Sequence, residues 1–441
     1  MRTRPLMRGR SAIFALVAAL ILGACAGGRP PEGPAPQAPS GPFQDSGGVN
    51  RPEHRSKPHA ILISFDGFRP DYLDRFDLPN FKRVLERGVR ARAMIPVFPS
   101  MTFPNHYSLV TGLYAERHGI VGNSFYDPVR DRTYSLSDRT AVADGSWYRG
   151  EPIWVTAERQ GMVTAPYFWP GSEAAIKGVR PTFWKPFDNS LPNDDRVKDV
   201  LEALQLPDET RPHFLTLYFS ELDSVSHRNP LDSPEIERAA RSLDRSLGLL
   251  LDGIERLPIR DLIYLVLASD HGMAETGRAQ TVQLDTILGA GRVHTSFGGP
   301  VASLHVKGAA RVAQQIRDEL NARLDHGRAY LRAEVPDRYR YRDDPRIGDV
   351  VVVMNEGWTL ETSPLRSRPV DRWGMHGWDP ALPSMHAMFV VSGPGTRRGA
   401  TVSNVLNVDV YSFLAELLEL QPAPDLDGQA GRIRPMVIAK E

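Results

Sequence analysis

The chain has 441 residues, of which 41% are hydrophobic, and it carries 53 basic and 53 acidic side chains. This length suffices for one large globular domain, or two, with a sizeable core. Because the formal net charge is near zero, the sequence lacks the basic footprint of a nucleic-acid-binding protein, and we expect no specific binding to a nucleic-acid duplex. A small substrate fits this charge balance better than a long polyanion does.

The first 25 residues have the three parts of a secretory signal peptide. Basic residues precede an apolar run over residues 12–22, which is too short for a stable membrane span, and Cys25 follows. The run Leu22-Gly-Ala-Cys25 resembles a bacterial lipobox, in which Cys25 would be lipidated and become the mature N-terminus. The alternative is an ordinary signal peptide, but Cys25 is the single cysteine of the chain. We therefore expect a periplasm-facing protein held to the envelope membrane by an N-terminal lipid anchor, with Ala26 favouring the outer membrane.

Residues 26–57 are rich in Pro, Gly and polar residues and predict a flexible tether, followed by a folded domain at 58–428. In that domain strand-like runs alternate with helical patterns. The predicted strands are 59–65, 213–220, 262–268 and 387–392, and the predicted helices are 78–88, 105–111, 151–160, 196–204 and 233–256. The continuously apolar strands indicate burial on both faces, so we predict an α/β fold with a central, mostly parallel sheet flanked by helices.

Roughly a hundred residues, at about 275–375, predict a small α+β lobe inserted before His376. The lobe has strand patterns at 301–306 and 349–354 and a helix pattern at 311–324. Its role does not follow from the sequence.

Four separate segments place acidic or imidazole side chains just after apolar runs. These side chains are Asp66, Asp223, His227, Asp270, His271 and His376. Ligands of open α/β sheets bind outside the carboxyl ends of the strands, so we expect the group at one edge of the sheet. Three Asp and three His suffice for two zinc ions held close together, which predicts metal-assisted attack on a phosphorus or sulfur ester. His386 is a competing metal candidate, although its place at the edge of an apolar strand favours a packed or exposed side chain.

Thr102 is the predicted nucleophile, at or just before the N-terminus of a helix. Pro104 is tolerated in a first helical turn. There the helix dipole and a nearby metal ion would both favour the Thr102 alkoxide. A plain N-cap is the alternative role for Thr102, and Ser100 and Ser108 are weaker nucleophile candidates.

Together these residues resemble the nucleotide pyrophosphatase/phosphodiesterase family of the alkaline phosphatase superfamily. The motifs that carry the resemblance are Asp66-Gly, Thr102-Phe-Pro-Asn-His106, His118-Gly-Ile-Val-Gly-Asn123, Asp223-x-x-x-His227, Asp270-His271-Gly-Met and His376-Gly-Trp-Asp379. The resemblance extends over about 58–425, and the motif set is specific as a combination. It implies an alkaline-phosphatase-like fold with two Zn²⁺ ions as cofactors.

The resemblance also implies a role for each matching position. One zinc ion would be held by Asp223, His227 and His376, and the other by Asp66, Asp270 and His271, with Thr102 as a further ligand. Thr102 would form a covalent nucleotidylated intermediate that is then hydrolysed. Asn123 would donate its side-chain amide to a non-bridging phosphoryl oxygen; its alternative is a turn residue beside Gly122. The family often has Gly where this chain has Ser226, and we expect only a modest local effect.

In similar enzymes a nucleobase stacks between aromatic side chains near the nucleophile. Phe103 directly follows Thr102, Phe187 resembles the second wall of such a pocket, and Tyr218 would line it as well. Stacking contributes about 1–3 kcal/mol per base and tolerates different bases. A place in the hydrophobic core is an equal alternative for Phe187 and Tyr218.

The sequence thus predicts a lipid-anchored zinc phosphodiesterase or nucleotide pyrophosphatase that releases nucleoside 5′-monophosphates from a small nucleotide-type substrate. A phosphomonoesterase or a phospholipid-head-group phosphodiesterase on the same scaffold is the closest alternative. A sulfatase is disfavoured, because Thr102 lies in a Thr-x-Pro-x-His pattern instead of the Cys/Ser-x-Pro-x-Arg pattern of those enzymes. The alternative of a different class is a non-catalytic envelope lipoprotein, against which the intact ligand set argues.

Overall fold

The computed structural model describes residues 43–308, 310–361 and 370–439. The signal peptide, Cys25 and residues 26–42 of the predicted tether lie outside the described residues. The strands are, in chain order, β1 (Gln44–Asp45), β2 (His59–Phe65), β3 (Gly88–Ala91), β4 (Met94–Ile95), β5 (Ser124–Asp127), β6 (Arg132–Ser135), β7 (Thr164–Pro166), β8 (Phe183–Trp184), β9 (Phe214–Phe219), β10 (Ile263–Ala268), β11 (Ala274–Gly277), β12 (Thr281–Gln283), β13 (Val293–Phe297), β14 (Val301–Val306), β15 (Gly327–Leu331), β16 (Val350–Met354), β17 (Thr359–Glu361), β18 (Arg372–Met375), β19 (Phe389–Ser392), β20 (Ala400–Val402) and β21 (Val405–Leu406).

The α-helices follow the alternation that the sequence predicts. In chain order they are α1 (Tyr72–Arg75), α2 (Pro79–Arg87), α3 (Thr102–Thr111), α4 (Ala115–His118), α5 (Arg139–Ala143), α6 (Ile153–Arg159), α7 (Asn193–Ala203), α8 (Glu221–Ser226), α9 (Pro234–Glu255), α10 (Leu284–Leu288), α11 (Ala310–Arg323), α12 (Asp409–Leu417) and α13 (Arg434–Val437). No helix of the described ranges has the length and apolar character needed to cross a membrane.

A seven-stranded sheet forms the centre of the described part of the chain, and helices pack on both of its faces. Its strand order is β20-β3-β19-β10-β2-β9-β7. β10, β2, β9 and β7 pair in parallel. β19 is antiparallel to both of its neighbours, while β20 is parallel to β3. Six of the seven strands therefore run in one direction, which matches the predicted mostly parallel sheet.

Side chains of β2 alternate between two hydrophobic clusters, one on each face of the sheet. Ala60 and Leu62 pack in the cluster that also contains residues of α3, α6 and α12. Ile61 and Ile63 pack in the cluster that contains residues of α2, α7 and α9. Because both faces are covered, every residue of β2 is buried, which accounts for the apolar run Ala60-Ile-Leu-Ile63 within it.

The predicted small lobe contains a separate antiparallel sheet with the order β13-β14-β16-β15. Helices α10 and α11 cover it and share a hydrophobic cluster with β14 and β16. Strands β11 and β18, which pair with each other, lie at the start and end of this part of the chain. The predicted strand at 301–306 coincides with β14, and the predicted helix at 311–324 overlaps α11.

Residues 43–57, which the sequence assigns to the tether, pack against the folded unit. Strand β1 pairs with β8, and Asn50 is buried, with its amide nitrogen donating to the backbone oxygens of Asp208 and Arg211. At the other end, α13 extends the folded chain beyond residue 428. The predicted boundaries of 58 and 428 therefore differ from the structure. Contacts with residues distant in sequence hold these peripheral segments in place. Such contacts cannot be predicted from the local amino-acid composition.

Candidate functional site

The carboxyl ends of three neighbouring parallel strands deliver the acidic side chains of the site. Asp66 directly follows β2, Asp223 lies in the helix α8 after β9, and Asp270 comes just after β10. Since β10, β2 and β9 are adjacent and parallel, their carboxyl ends meet at one edge. The sequence expectation that these residues meet at one edge of the sheet is therefore met.

One group of possible metal ligands surrounds the imidazole of His271. Its Nε2 lies 2.9 Å from Oδ2 of Asp270 and 3.5 Å from Oδ1 of Asp66. All three side chains are buried. Their ligand atoms lie within 4.8 Å of one another, a spacing that can hold a metal ion.

A second group is centred on Asp223. Its Oδ1 lies 3.3 Å from Nε2 of His227 and 3.6 Å from Nε2 of His376. The approach of Asp223 and His227 is that of residues four apart at the end of a short helix, as their spacing predicts. The rings of His376 and His271 stack with centroids 3.6 Å apart, so the two groups share a boundary.

Backbone carbonyls determine which ring nitrogen of the three imidazoles carries the hydrogen. Nδ1 of His271 bonds to the oxygen of Gly272, Nδ1 of His227 to that of Gly374, and Nδ1 of His376 to that of Ser100, at 2.8–3.0 Å. Because a carbonyl only accepts, each Nδ1 carries the hydrogen. In the neutral imidazole each Nε2 then carries the lone pair, on the side of the carboxylates, which is the tautomer that a metal-binding histidine needs.

The carboxylates themselves lack partners for the oxygens that face these imidazoles. Within the described residues, Oδ1 of Asp66, Oδ1 of Asp223 and Oδ2 of Asp270 accept no hydrogen bond although they are buried. Burial, and then the charges of Asp270 and Asp223, raise the pKa of Asp66 well above its usual value. A bound cation would both fill these lone pairs and relieve the repulsion, so the residues present fit metal ions.

Thr102 is the first residue of α3, and its Oγ1 lies 3.4 Å from Nε2 of His271. The predicted helix at 105–111 thus begins three residues earlier than expected. Thr102 makes no capping hydrogen bond, because Met101 occupies the N-cap position. The plain-cap alternative is therefore not what the structure shows, and the hydroxyl lies beside the metal-type ligands at a helix N-terminus.

Asn123 reaches the first turn of α3 from the loop after α4. Its Oδ1 accepts the backbone N–H of Phe103 at 2.8 Å, and its own backbone oxygen accepts the N–H of Leu136. The amide nitrogen of Asn123 makes no hydrogen bond to another described residue. It is therefore available to donate to a ligand beside Thr102.

The three predicted pocket aromatics come from both faces of the sheet. Phe103 packs against the cluster that contains α3, whereas Phe187 and Tyr218 pack against the cluster that contains α7. The rings of Phe187 and Tyr218 meet edge to face with centroids 6.0 Å apart. All three are only partly buried. Tyr218 also donates its hydroxyl to Oδ2 of Asp66 at 2.5 Å, a contact that the sequence did not indicate.

His106 is a buried residue of the site to which the sequence gave no role. Its Nε2 bonds to Oγ of Ser64 at 2.8 Å, and its Nδ1 lies 2.9 Å from the backbone oxygen of Thr102 and 3.4 Å from Oδ2 of Asp270. The available signal was its position four residues after Thr102, which places both on one face of α3. His106 thus connects the strand end, the candidate nucleophile and a candidate ligand.

The weaker candidates have other partners. Oγ of Ser100 donates to the backbone oxygen of Trp378, and Oγ of Ser108 bonds to Nε2 of His118. His386 lines a separate surface cavity of about 390 Å³. At the position where the resembling family often has Gly, Oγ of Ser226 donates to the backbone oxygen of Leu222 within α8.

A model of the family described as type I phosphodiesterase / nucleotide pyrophosphatase matches residues 60–379. All the candidate ligands, Thr102 and Asn123 lie within that range. The ectonucleotide pyrophosphatase/phosphodiesterase family member 1 of Mus musculus is 36% identical over 383 residues, which cover 85% of this chain and 42% of that protein. Venom phosphodiesterase CdcPDE of Crotalus durissus collilineatus is 35% identical over 399 residues, which cover 88% and 47%. The chain spans less than half the length of these curated relatives.

Solved structures of similar proteins are available. Murine ectonucleotide pyrophosphatase/phosphodiesterase 5 superposes with a TM-score of 0.81 at 31% identity, covering 86% of this chain and 100% of that one. An inactive variant of the same murine protein, with a threonine replaced by alanine, is in complex with AMP. It also superposes with a TM-score of 0.81, at 30% identity, and the match covers 87% of this chain and 100% of that one. These neighbours confirm the predicted alkaline-phosphatase-like α/β fold.

Proposed function

Because the chain belongs to the type I phosphodiesterase / nucleotide pyrophosphatase family, we propose that it hydrolyses nucleotide phosphodiester or pyrophosphate bonds and releases nucleoside 5′-monophosphates. The observation that carries the proposal is the placement of the Thr102 hydroxyl 3.4 Å from Nε2 of His271, in a group that includes buried carboxylate oxygens which accept no hydrogen bond within the described residues. The AMP bound to the inactive murine relative supports a nucleotide as substrate.

Two Zn²⁺ ions are the cofactors that this donor set fits best. Asp66, Asp270 and His271, with Thr102, would hold one ion, and Asp223, His227 and His376 would hold the other. Mixed carboxylate and imidazole ligands suit zinc. When bound, such ions lower the pKa of a neighbouring hydroxyl and neutralise negative charge on phosphoryl oxygens.

The chain's own residues supply the rest of the reaction. Oγ1 of Thr102 gives up its proton and attacks the phosphorus while the bond to the leaving oxygen breaks on the opposite side. The leaving group departs with a proton taken from solvent, and the 5′-nucleotidyl group stays on Thr102. Water then attacks the same phosphorus and releases the nucleoside monophosphate with the Thr102 hydroxyl restored. Asn123 donates its amide to a non-bridging oxygen in both steps, where charge accumulates in the transition state.

We assign recognition of the nucleoside to two aromatic side chains, of which one adjoins the nucleophile in sequence. Phe103 is joined to Thr102 by one peptide bond, and Phe187 is the second candidate wall. The base would stack on these rings, which favours nucleotides without strong preference for one base. Tyr218 supports the metal site through its hydrogen bond to Asp66. In the base pocket its role is to contact the Phe187 ring edge to face.

For the location we propose a lipid anchor at Cys25 that holds the enzyme in the cell envelope with the site facing the periplasm. The support for this is the sequence of residues 1–26 alone. Labelling of the full chain with a fatty-acid analogue tests it. Incorporation that is lost in Cys25→Ala supports the anchor, and labelling that persists in Cys25→Ala contradicts it.

The activity is tested with zinc-loaded protein that lacks residues 1–25. Turnover of p-nitrophenyl thymidine 5′-monophosphate is compared with turnover of p-nitrophenyl phosphate, with Thr102→Ala as the control for a contaminating enzyme. We expect a strong preference for the diester. Preference for the monoester would place the protein among phosphatases, and turnover of neither would put a lipid diester or a non-catalytic role first.

A further inference from the structure

We propose that the small lobe is part of the catalytic apparatus, because it holds the loop that carries Asn123 in its working position. The Asn123 loop comprises residues 119–123, between α4 and β5. In this proposal Tyr341 and Phe297, which both belong to the lobe, are positioning residues that act through Asn123. The inference rests on the proposed function, in which Asn123 donates to the reacting phosphoryl group.

The first contact of the lobe with the loop is made by the segment that leads into β16. Tyr341 is fully buried, and its hydroxyl donates to the backbone oxygen of Val121 at 2.6 Å. Arg346 is 5% exposed and donates from Nη1 to the backbone oxygen of Gly119 at 2.8 Å. Its Nε donates to Asp127 at 2.9 Å, just beyond the loop. Two carbonyls of the loop are thus held by side chains more than 200 residues away in sequence.

The second contact comes from β13 of the lobe. Gly122 and Phe297 are so close that a Cβ on Gly122 would lie 2.7 Å from Cε1 of Phe297. Next to them, the N–H of Tyr126 donates to Oγ of Ser296 at 3.0 Å. The ring of Phe297 therefore packs on the backbone of the residue that precedes Asn123.

These contacts matter for chemistry because the loop has no helix or strand of its own to fix it. Fixing its backbone in one conformation costs conformational entropy, which contacts from outside the loop must offset. A hydrogen-bond donor contributes to transition-state stabilisation only when it is held close to its productive position. Within the described residues the Asn123 side chain makes one hydrogen bond, to Phe103, and the Asn123 backbone oxygen accepts the N–H of Leu136. The lobe adds the contacts to Gly119, Val121 and Gly122, on which the position of the preceding backbone depends.

The test is a double-mutant cycle on turnover of p-nitrophenyl thymidine 5′-monophosphate. Tyr341→Phe removes one hydroxyl, Asn123→Ala removes the group that is positioned, and the double variant combines them. We expect Tyr341→Phe to lower kcat about tenfold with KM nearly unchanged. We expect Asn123→Ala to lower kcat further, and the double variant to be no slower than Asn123→Ala alone.

The matched control is Tyr411→Phe. Tyr411 is also fully buried, and its hydroxyl bonds to Oγ1 of Thr156 at 2.7 Å and accepts the N–H of Ala423 at 2.8 Å, neither of which belongs to the Asn123 loop. We expect this variant to lose stability comparable to that lost by Tyr341→Phe, with kcat unchanged. If Tyr341→Phe folds poorly, Phe297→Leu replaces it in the double-mutant cycle with Asn123→Ala. We expect Phe297→Leu to lower kcat in the same way, because Phe297 contacts the loop at Gly122.

The outcomes separate the inference from the function on which it rests. If the wild type turns over the diester and Asn123→Ala is slow, but the loss in Tyr341→Phe is absent or simply multiplies with that of Asn123→Ala, the positioning role is overturned. If the wild type does not turn over the diester, or Asn123→Ala is as fast as the wild type, the proposed function of the site or of Asn123 fails first.

Discussion

Tyr218 donates its hydroxyl hydrogen to Oδ2 of Asp66 over 2.5 Å. Burial, followed by the charge of Asp66, raises the pKa of Tyr218 well above its usual value, so the hydroxyl stays protonated and remains a donor. The bond favours the ionised form of Asp66 and opposes the burial and the neighbouring carboxylates that raise its pKa. A residue expected to line a base pocket thereby also supports a candidate metal ligand.

We therefore expect Tyr218→Phe to bind zinc about 10–100-fold more weakly, because Asp66 would be protonated more readily and oriented less well. Titration of the apoprotein against a zinc-competing chelator measures the change. Tyr72→Phe is the control, since the buried Tyr72 hydroxyl accepts or donates no hydrogen bond to the described residues. An unchanged zinc affinity in Tyr218→Phe would show that the hydrogen bond from Tyr218 to Asp66 does not contribute to metal binding.

Thr102 is expected to carry the covalent intermediate. Thr102→Ala should lower kcat at least a thousandfold, because the nucleophile is removed while the rest of the site remains. Thr102→Ser keeps a hydroxyl and should retain measurable turnover. Mass spectrometry of acid-quenched protein should find a nucleotidyl adduct on the peptide with residue 102 in the wild type and in Thr102→Ser. Full turnover by Thr102→Ala would exclude the threonine nucleophile.

Arg196 is expected to set the affinity for the nucleoside. It is 2% exposed, its Nη1 and Nε donate to the backbone oxygens of Tyr218 and Leu191, and its guanidinium carbon lies 6.0 Å from the centre of the Phe187 ring. These contacts fix both the candidate base wall and the strand that carries Tyr218.

Replacement of this arginine should therefore act on KM for substrates that contain a base. We expect Arg196→Met to raise KM for p-nitrophenyl thymidine 5′-monophosphate about tenfold, the scale of one stacked base, and to change KM for bis(p-nitrophenyl) phosphate much less. Arg83→Met, at an exposed ion pair with Asp252, is the control. Equal losses with both substrates would indicate a general disturbance of the fold instead of a role in base binding.

The particular residues show what the sequence could predict and what it could not. Asp66 and Asp270 were placed correctly because each follows an apolar strand, and the carboxyl ends of parallel strands meet by geometry. The bond from Tyr341 to Val121 joins residues 220 positions apart, and no local pattern encodes such a contact. The same holds for Asn50, which is buried by residues near 210 although its neighbours have the composition of a tether. Local periodicity thus predicted the main elements and the grouping of the candidate ligands, while the supporting contacts depend on the three-dimensional fold.

Stability is expected to fall in acid through a pair of stacked histidines far from the metal-type ligands. The rings of His59 and His213 lie parallel with centroids 4.2 Å apart, and Nδ1 of each bonds to a backbone oxygen, that of Pro212 and Pro58 respectively. Burial, and then the charge of His213, lower the pKa of His59 from 6.5 to about 3. Burial also lowers the pKa of His213.

For a histidine with a lowered pKa in the folded state, the unfolded chain binds the additional proton first. The stability is therefore complete above pH 6.5 and is lost as the pH falls from 6.5 towards 3. In that window His59 should make the free energy of unfolding fall by about 1.4 kcal/mol per pH unit. Denaturant unfolding of the wild type and His59→Asn at several pH values measures this slope. His59→Asn should be less stable than the wild type at pH 7, but its free energy of unfolding should fall less on acidification. Equal slopes of this free energy against pH in the two proteins would contradict the role of His59.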